Sequence, residues 1–417
     1  MGLEMKLKLS LLAAMMAAAL TGCGGSSGGS SSDDNGSAGG SDTSNACTEL
    51  SSDTFTCDQM LNDIVEYAIR PSTAALSAAS QELHDTTDTY CAALGEENEA
   101  ATLISAKAAW STAMIEVQQL NAMEIGPLAN SDTGLTAIYA WPIVSSCLVD
   151  IQVMAGELGP NNRAGLFAME YLLFGPAGET SCTGTSDVVD WAATKTTDEI
   201  QLARCDYAKL VTGDLINKTS ALATAMDEYD LASANNNDQV SAGFVSDALF
   251  YNDKQTKDVK IKGLLPQADT EAFDASAAES QFARTSKEHI YYNLQGARKL
   301  FTANSNVGLD DYLVASGQQS IADDMLATLD ATIDNLDALS SNTDATNDTL
   351  FDIVSAGENV QTCLNLGASG IYDNASSDID TFCALQYSIK QFTDILKGDY
   401  TLLTSFTVPA SAGGDAD

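Results

Sequence analysis

Glu170 is the residue of this chain that most needs a chemical account. It sits in RAGLFAMEYLLFG (163–175), an apolar run whose one other charge is Arg163. A carboxylate in such a segment is either a core residue with a hidden partner or part of a site. Arg163, seven residues earlier, falls on roughly the same helical face. A Glu170–Arg163 or Glu170–tyrosine pairing would satisfy the acid without any metal. A lone carboxylate holds a hard cation only with help from other oxygens or water. The chain has two histidines, His84 and His289, whereas a catalytic zinc site takes three protein ligands dominated by imidazole. His84, in QELHDTTD, lies near Glu82, Asp85 and Asp88 and reads as a surface histidine among acids. His289, in SKEHIYYN, reads either as a satisfied buried residue or as a binding residue. His-Glu-x-x-His, a phosphate loop and Cys-x-x-Cys are missing from the sequence, and Gly-x-Ser-x-Gly occurs in the Gly/Ser-rich stretch 24–29, which has no strand or helix pattern to make a nucleophile elbow of it.

The elements that must position these residues are helical. DQMLNDIVEYAI (58–69) places Met60, Leu61, Ile64, Val65 and Ala68 on one face, and Pro71 should kink or end that helix. The stretch 97–123 repeats the pattern and stops before Gly126-Pro127. Residues 187–230 read as one long helix or two stacked ones. LASANNNDQV (231–240) is polar and turn-rich, the natural domain boundary. Four long helical segments follow it, and period-two alternation is scarce. The expected fold is all-α, with two helical domains of four-helix-bundle type packed side by side: 47–235 and 236–405, followed by an acidic flexible tail, 406–417.

The N-terminus reads MGLEMKLKLSLLAAMMAAALTGC. Two lysines, a short apolar stretch and small residues before Cys23 form a secretory leader (1–22), too short for a lasting membrane span. The ending LTGC resembles a bacterial lipobox, which makes Cys23 the lipidated residue and the bilayer a partner. Each buried methylene of such an anchor contributes roughly 0.8 kcal/mol. Gly24 rather than aspartate after Cys23 points to the outer membrane of a Gram-negative cell. Residues 24–46 carry no apolar side chain larger than alanine and form a flexible tether, spanning on the order of 25–30 Å with Cys23.

The formal charge of −39 comes from 58 acidic against 19 basic residues. No basic stripe exists to neutralise phosphates, so nucleic acid is excluded as a partner. The acidic surface keeps the chain soluble and attracts cations weakly. Of nine cysteines, eight remain once Cys23 is lipidated, an even count that reads as disulfides in an exported protein. Loop length favours Cys47–Cys57, Cys182–Cys205 and Cys363–Cys383, leaving Cys91–Cys147.

RAGLFAMEYLLFG resembles the signature of the imelysin family, a Gly-x-His-x-x-Glu motif running into aromatic-Leu-Leu-aromatic-Gly. Gly165, Glu170, Tyr171, Leu172, Leu173, Phe174 and Gly175 fit it. Residues 108–128 resemble the family's tryptophan helix ending in Gly-Pro, and IYAWPIV (138–144) its Trp-Pro turn. SQFARTSKEHIYYNLQGARKLF (280–301) and GLDDYLVASG (308–317) are similar to its second-half pattern. The motif's histidine position is Phe167 here. Residues three apart share a helix face, so a His and a Glu there grip one metal ion or share a proton. Phenylalanine does neither.

The resemblance implies two similar four-helix bundles in an exported or envelope-anchored protein, with the motif where the bundles meet. It implies a cleft involving Arg163, Gly165, Phe167, Glu170 and His289, with Glu170 as the candidate metal ligand. It also implies iron or another divalent metal as cofactor, and envelope iron-uptake proteins as partners. Three functions follow: a non-catalytic binding lipoprotein linked to iron or haem uptake, a chelator-sensitive metallopeptidase, or a scaffold for an envelope protein.

Overall fold

Helical periodicity becomes helix almost throughout. The computed structural model describes residues 47–409 apart from 53, 143–144, 185, 235–236, 267–271, 340–348, 359, 370–377, 405 and 407. The leader, Cys23, the tether and residues 410–417 of the expected tail lie outside the described residues. The protein is all-α. Among the described residues the only β-pairing is an isolated bridge between Ser51 and Thr56, and no helix is long and apolar enough to cross a membrane.

Helix α1 (Cys57–Asp63) starts at Thr56, whose hydroxyl accepts from Gln59 N. The expected end at Pro71 does not occur. Residues Ile64–Ile69 widen into i→i+5 bonding, with Arg70 N donating to Val65 O, and α2 (Arg70–Ala92) carries Pro71 in its first turn. Proline has no N–H to give and its ring crowds the carbonyl four residues back; the wider turn accommodates both. Then come α3 (Glu99–Asn121), α4 (Leu135–Tyr139), α5 (Ser146–Ala155) and α6 (Gly165–Phe174). The 187–230 stretch is two helices, α7 (Asp187–Ala193) and α8 (Thr197–Asp227). Thr196 and Glu199 start α8 with a reciprocal cap, Glu199 N to Thr196 Oγ1 and Thr196 N to Glu199 Oε2.

The second half holds α9 (Asp238–Leu249), a wide-turned segment (Asn252–Ile261), α10 (Ser286–Phe301), α11 (Leu309–Ala315) and α12 (Gln319–Ala338). It closes with α13 (Thr349–Ala356), α14 (Val360–Ser369), α15 (Asp378–Ile395) and α16 (Thr401–Thr404). Helices α2, α3, α6 and α8 pack as one group; α10, α12, α15 and the Asn252–Ile261 segment pack as another. Phe406, expected in the tail, instead packs its ring 5.9 Å from those of Tyr312 and Tyr400.

The two groups meet where α3 crosses α10. Gly296 sits at this crossing, and a Cβ there would overlap the Gln119 carbonyl. Backbone cannot yield as a side-chain tip can. Gly296→Ala is therefore expected to lower stability by about 1–3 kcal/mol, read as a lower urea midpoint. An unchanged midpoint would mean the helices separate freely.

Two disulfides form as loop length predicts, Cys47–Cys57 and Cys363–Cys383. The other two expected pairs are corrected: Cys91 joins Cys205 and Cys147 joins Cys182. Loop closure costs only about 0.6 kcal/mol more per doubling of loop length, so helix packing decides. α2 lies along α8, which brings Cys91 and Cys205 to a Cα separation of 5.5 Å. Cys147, in the first turn of α5, meets Cys182 in the loop that follows α6, at 4.6 Å.

Candidate functional site

Gly165 opens α6 with φ +82°, and a Cβ there would press 2.7 Å from the Ile138 carbonyl oxygen. Glycine meets both demands. Trp110 of α3 then ties down the first turn, its indole Nε1 donating to Leu166 O at 2.8 Å. Its ring also meets Phe174 edge-on at 5.0 Å. Below α6, Asp150 of α5 accepts from Tyr171 Oη (2.8 Å), Thr180 Oγ1 (3.1 Å), and Ser181 N (2.7 Å) and Oγ (2.9 Å). Arg204 of α8 donates to Tyr171 Oη, Pro176 O and Glu179 O, 3.5 Å from Asp150 Oδ1. Every charge in that buried group has an opposite charge or a dipole beside it, so it holds α6 and its following loop in place.

Glu170, 1% exposed, points away from that group and toward the second half of the chain. Its Oε1 accepts from Ser280 Oγ (3.0 Å), Phe282 N (3.0 Å) and Ala283 N (2.9 Å). The amides converge because residues 280–284 form a tight turn before α10, with Arg284 N bonded to Ser280 O and Arg284 itself at φ +57°. Phe282 packs its ring 5.1 Å from that of Tyr171, which clamps the turn onto α6. Burial pushes the Glu170 carboxyl above its ordinary value, opposed by the Ala283 amide, His289, the Phe282 amide and Ser280.

His289 reaches Glu170 indirectly. Its Nε2 lies 3.0 Å from Thr285 Oγ1, which lies 2.9 Å from Ser280 Oγ. Its Nδ1 lies 3.4 Å from Glu279 Oε2. Glu279 Oε1 accepts from Gln118 Nε2 (2.9 Å) and from Lys260 Nζ (2.9 Å). Lys260 Nζ also donates to Gln118 Oε1 (2.7 Å) and Asn293 Oδ1 (2.8 Å). Three acceptors match the three N–H bonds of an ammonium; a neutral amine would leave one unmet. The rings of Tyr139, Trp141 and Tyr251 surround the same nitrogen, with centroids at 5.9, 5.6 and 5.7 Å. Burial pulls Lys260 well below the ordinary lysine value, while ring faces and acceptors favour the bound proton.

The expected site residues are thus brought together in part. Glu170 and His289 belong to one buried network where the two helix groups meet, and Gly165 opens the helix that carries Glu170. Phe167 is half-buried one turn before Glu170 and packs on the core. Arg163 is not a partner of Glu170. It lies before α6 rather than in it, its carbonyl accepts from Tyr207 Oη, and its Nη1 lies 2.7 Å from the Gln152 amide, turned to accept. His84 bonds to Thr212 of α8 at 2.9 Å, away from the network. Lys260, Glu279, Gln118 and Asn293 had drawn no attention in the sequence, being polar residues scattered over 176 positions without a shared motif.

At Glu170 the protein offers a cation little besides one oxygen. Oε1 already takes three hydrogens, Oε2 carries no hydrogen bond among the described residues, the neighbour one turn earlier is phenylalanine, and among the described residues no group of three or more His, Cys, Asp or Glu side chains is placed to hold a cation. What the arrangement does chemically is fix charge: one carboxylate in a nest of donors, one ammonium in a box of acceptors and rings.

The imelysin family model, peptidase M75, matches residues 69–363. An imelysin-like protein from Psychrobacter arcticum 273-4 superimposes with a TM-score of 0.61 at 14% identity, over 86% of this chain and 99% of that one. A "putative iron-regulated protein A precursor" from Parabacteroides distasonis ATCC 8503 does so with a TM-score of 0.55 at 16% identity, over 83% and 99%. Comparison with curated proteins returns no match. The matched segment runs from the α2 side of the first helix group, through the motif helix and the turn that grips Glu170, into the second; the chain belongs to the imelysin family.

Proposed function

We propose that this protein is a non-catalytic binding lipoprotein of the cell envelope, tethered through Cys23 and linked to iron or haem uptake. One observation supports the non-catalytic part: Phe167 stands where the motif has its histidine, beside a Glu170 whose Oε1 is taken up by Ser280, Phe282 and Ala283. A metal-activated water needs a metal held by several ligands and a base beside it, and with Phe167 the motif helix lacks the imidazole that would share the metal with Glu170. The link to iron is supported by family membership and by the name of the Parabacteroides neighbour. The lipobox-like LTGC supports the anchor, the leader supports export, and Gly24 after Cys23 supports an outer-membrane location facing the periplasm or the cell surface.

Calorimetric titration of the purified protein with ferrous, ferric and zinc ions and with haem tests the reading. Binding of iron or haem tighter than millimolar is the expected result, and the Glu170→Gln variant shows whether that carboxylate takes part. No measurable binding of any of them would remove the link to uptake. The family's peptidase name motivates one control, incubation with insulin or casein with and without a chelator. Chelator-sensitive cleavage abolished by Glu170→Gln would replace the binding reading with an enzymatic one.

A further inference from the structure

A second feature, independent of the Glu170 motif, is a cavity of about 490 Å³ beside the end of α3. Its size is that of pockets for small organic molecules. Gly126 shapes one wall: at φ +56° it has no side chain, and a Cβ there would overlap the Tyr229 ring that lies across it. Tyr229, Phe244, Phe250 and Tyr251 supply aromatic surface, with Phe244 43% exposed at the mouth. Glu124 and Asp247 supply charge. Glu124 is half-buried and Asp247 exposed, and the loss of water around each pushes both carboxyls above their ordinary values. The one lysine on the wall, Lys254, lies 3.8 Å from Asp253 and 3.7 Å from Asp258.

We propose that this cavity binds a small organic cation, a quaternary ammonium or a protonated amine, between the carboxylates of Glu124 and Asp247 and the four aromatic rings. The chain already shows this chemistry one wall away. The Tyr251 ring that lines the cavity also lies 5.7 Å from the ammonium of Lys260, which is completed by two more rings and a carboxylate. An anion would meet two unpaired carboxylates here, and a neutral apolar guest would leave them desolvated. The charge of −39 raises the local concentration of cations around the mouth.

Calorimetric titration of the intact exported protein with choline, and with 3,3-dimethylbutan-1-ol as its neutral carbon isostere, tests the proposal. Choline is expected to bind roughly ten-fold or more tighter than the isostere. Glu124→Gln and Asp247→Asn should each weaken choline by roughly three- to ten-fold, and Phe244→Ala, at the exposed mouth, by a smaller factor. Equal affinity for choline and its isostere overturns the proposal, as does no heat at millimolar choline. Unaltered binding in the Glu124→Gln/Asp247→Asn double variant also overturns it. The comparison of the two ligands on the unmodified protein decides the matter even where a variant fails to fold.

Discussion

Lys260→Met is expected to be among the most damaging single substitutions, costing about 3–5 kcal/mol of stability. Methionine replaces the aliphatic stem with little change of volume, so the loss is electrostatic. Without the ammonium, Glu279 is a buried carboxylate with Gln118 as its remaining close donor, Asn293 Oδ1 loses the proton it accepts, and Gln118 Oε1 keeps only Asn293 Nδ2. The surrounding rings lose their cation as well. A urea titration of the variant measures the loss. The double variant Lys260→Met/Glu279→Gln should recover much of it, because removing both charges leaves no unpaired ion. A loss below about 1 kcal/mol in the single variant, or a double variant no better than the sum, would show that the two charges are not coupled.

At Glu170 two substitutions should separate. Glu170→Ala orphans three donors at once, the hydroxyl of Ser280 and the amides of Phe282 and Ala283, for about 3–5 kcal/mol. The 280–284 turn should loosen with it, which amide exchange of Phe282 and Ala283 would report. Glu170→Gln keeps an oxygen for the three donors and removes the charge. Because burial raises the folded carboxyl above its ordinary 4.5, the native state holds the proton more tightly than the unfolded chain does. Glu170 therefore contributes most at pH below that ordinary value, and its contribution falls as pH rises through the raised folded value. The stability of Glu170→Gln relative to the parent should climb over that interval and then level off. A difference that is flat with pH, or that moves the other way, would place the folded carboxyl at or below its ordinary value.

Period and breakers made the architecture legible, because amphipathic stretches such as 58–69 and 97–123 state their own buried face. Pro71 does not end its helix, because the turns before it widen. Segment NDKQTKDVKI (252–261) is the larger lesson. Its polarity reads as solvent-facing, yet Asn252, Asp253, Thr256, Lys257 and Lys260 are all buried. The wide turn changes which residues share a face; Lys260 takes its partners from α3 and the 279–293 region and Asp253 faces Lys397, all far off in sequence, while Asn252 and Thr256 bond locally. Glu170 stood out because its neighbours are apolar; its three donors did not, because two are backbone amides and carry no residue signature. The two corrected disulfides failed for a related reason. Separation along the chain measures loop entropy, and the packing of α2 on α8 outweighs it.

Those crosslinks also bear on the order in which the chain is made. Cys91–Cys205 encloses Cys147–Cys182, so the pairs are nested. A chain that emerges N-terminus first presents Cys147 to Cys91 while Cys182 and Cys205 are still unmade or untranslocated. Oxidation that keeps pace with emergence joins the wrong two thiols, and the native pairs then require an attack by a later cysteine or by a disulfide isomerase. Production of this protein in an oxidising compartment accordingly depends on thiol exchange outrunning aggregation of the mispaired chain.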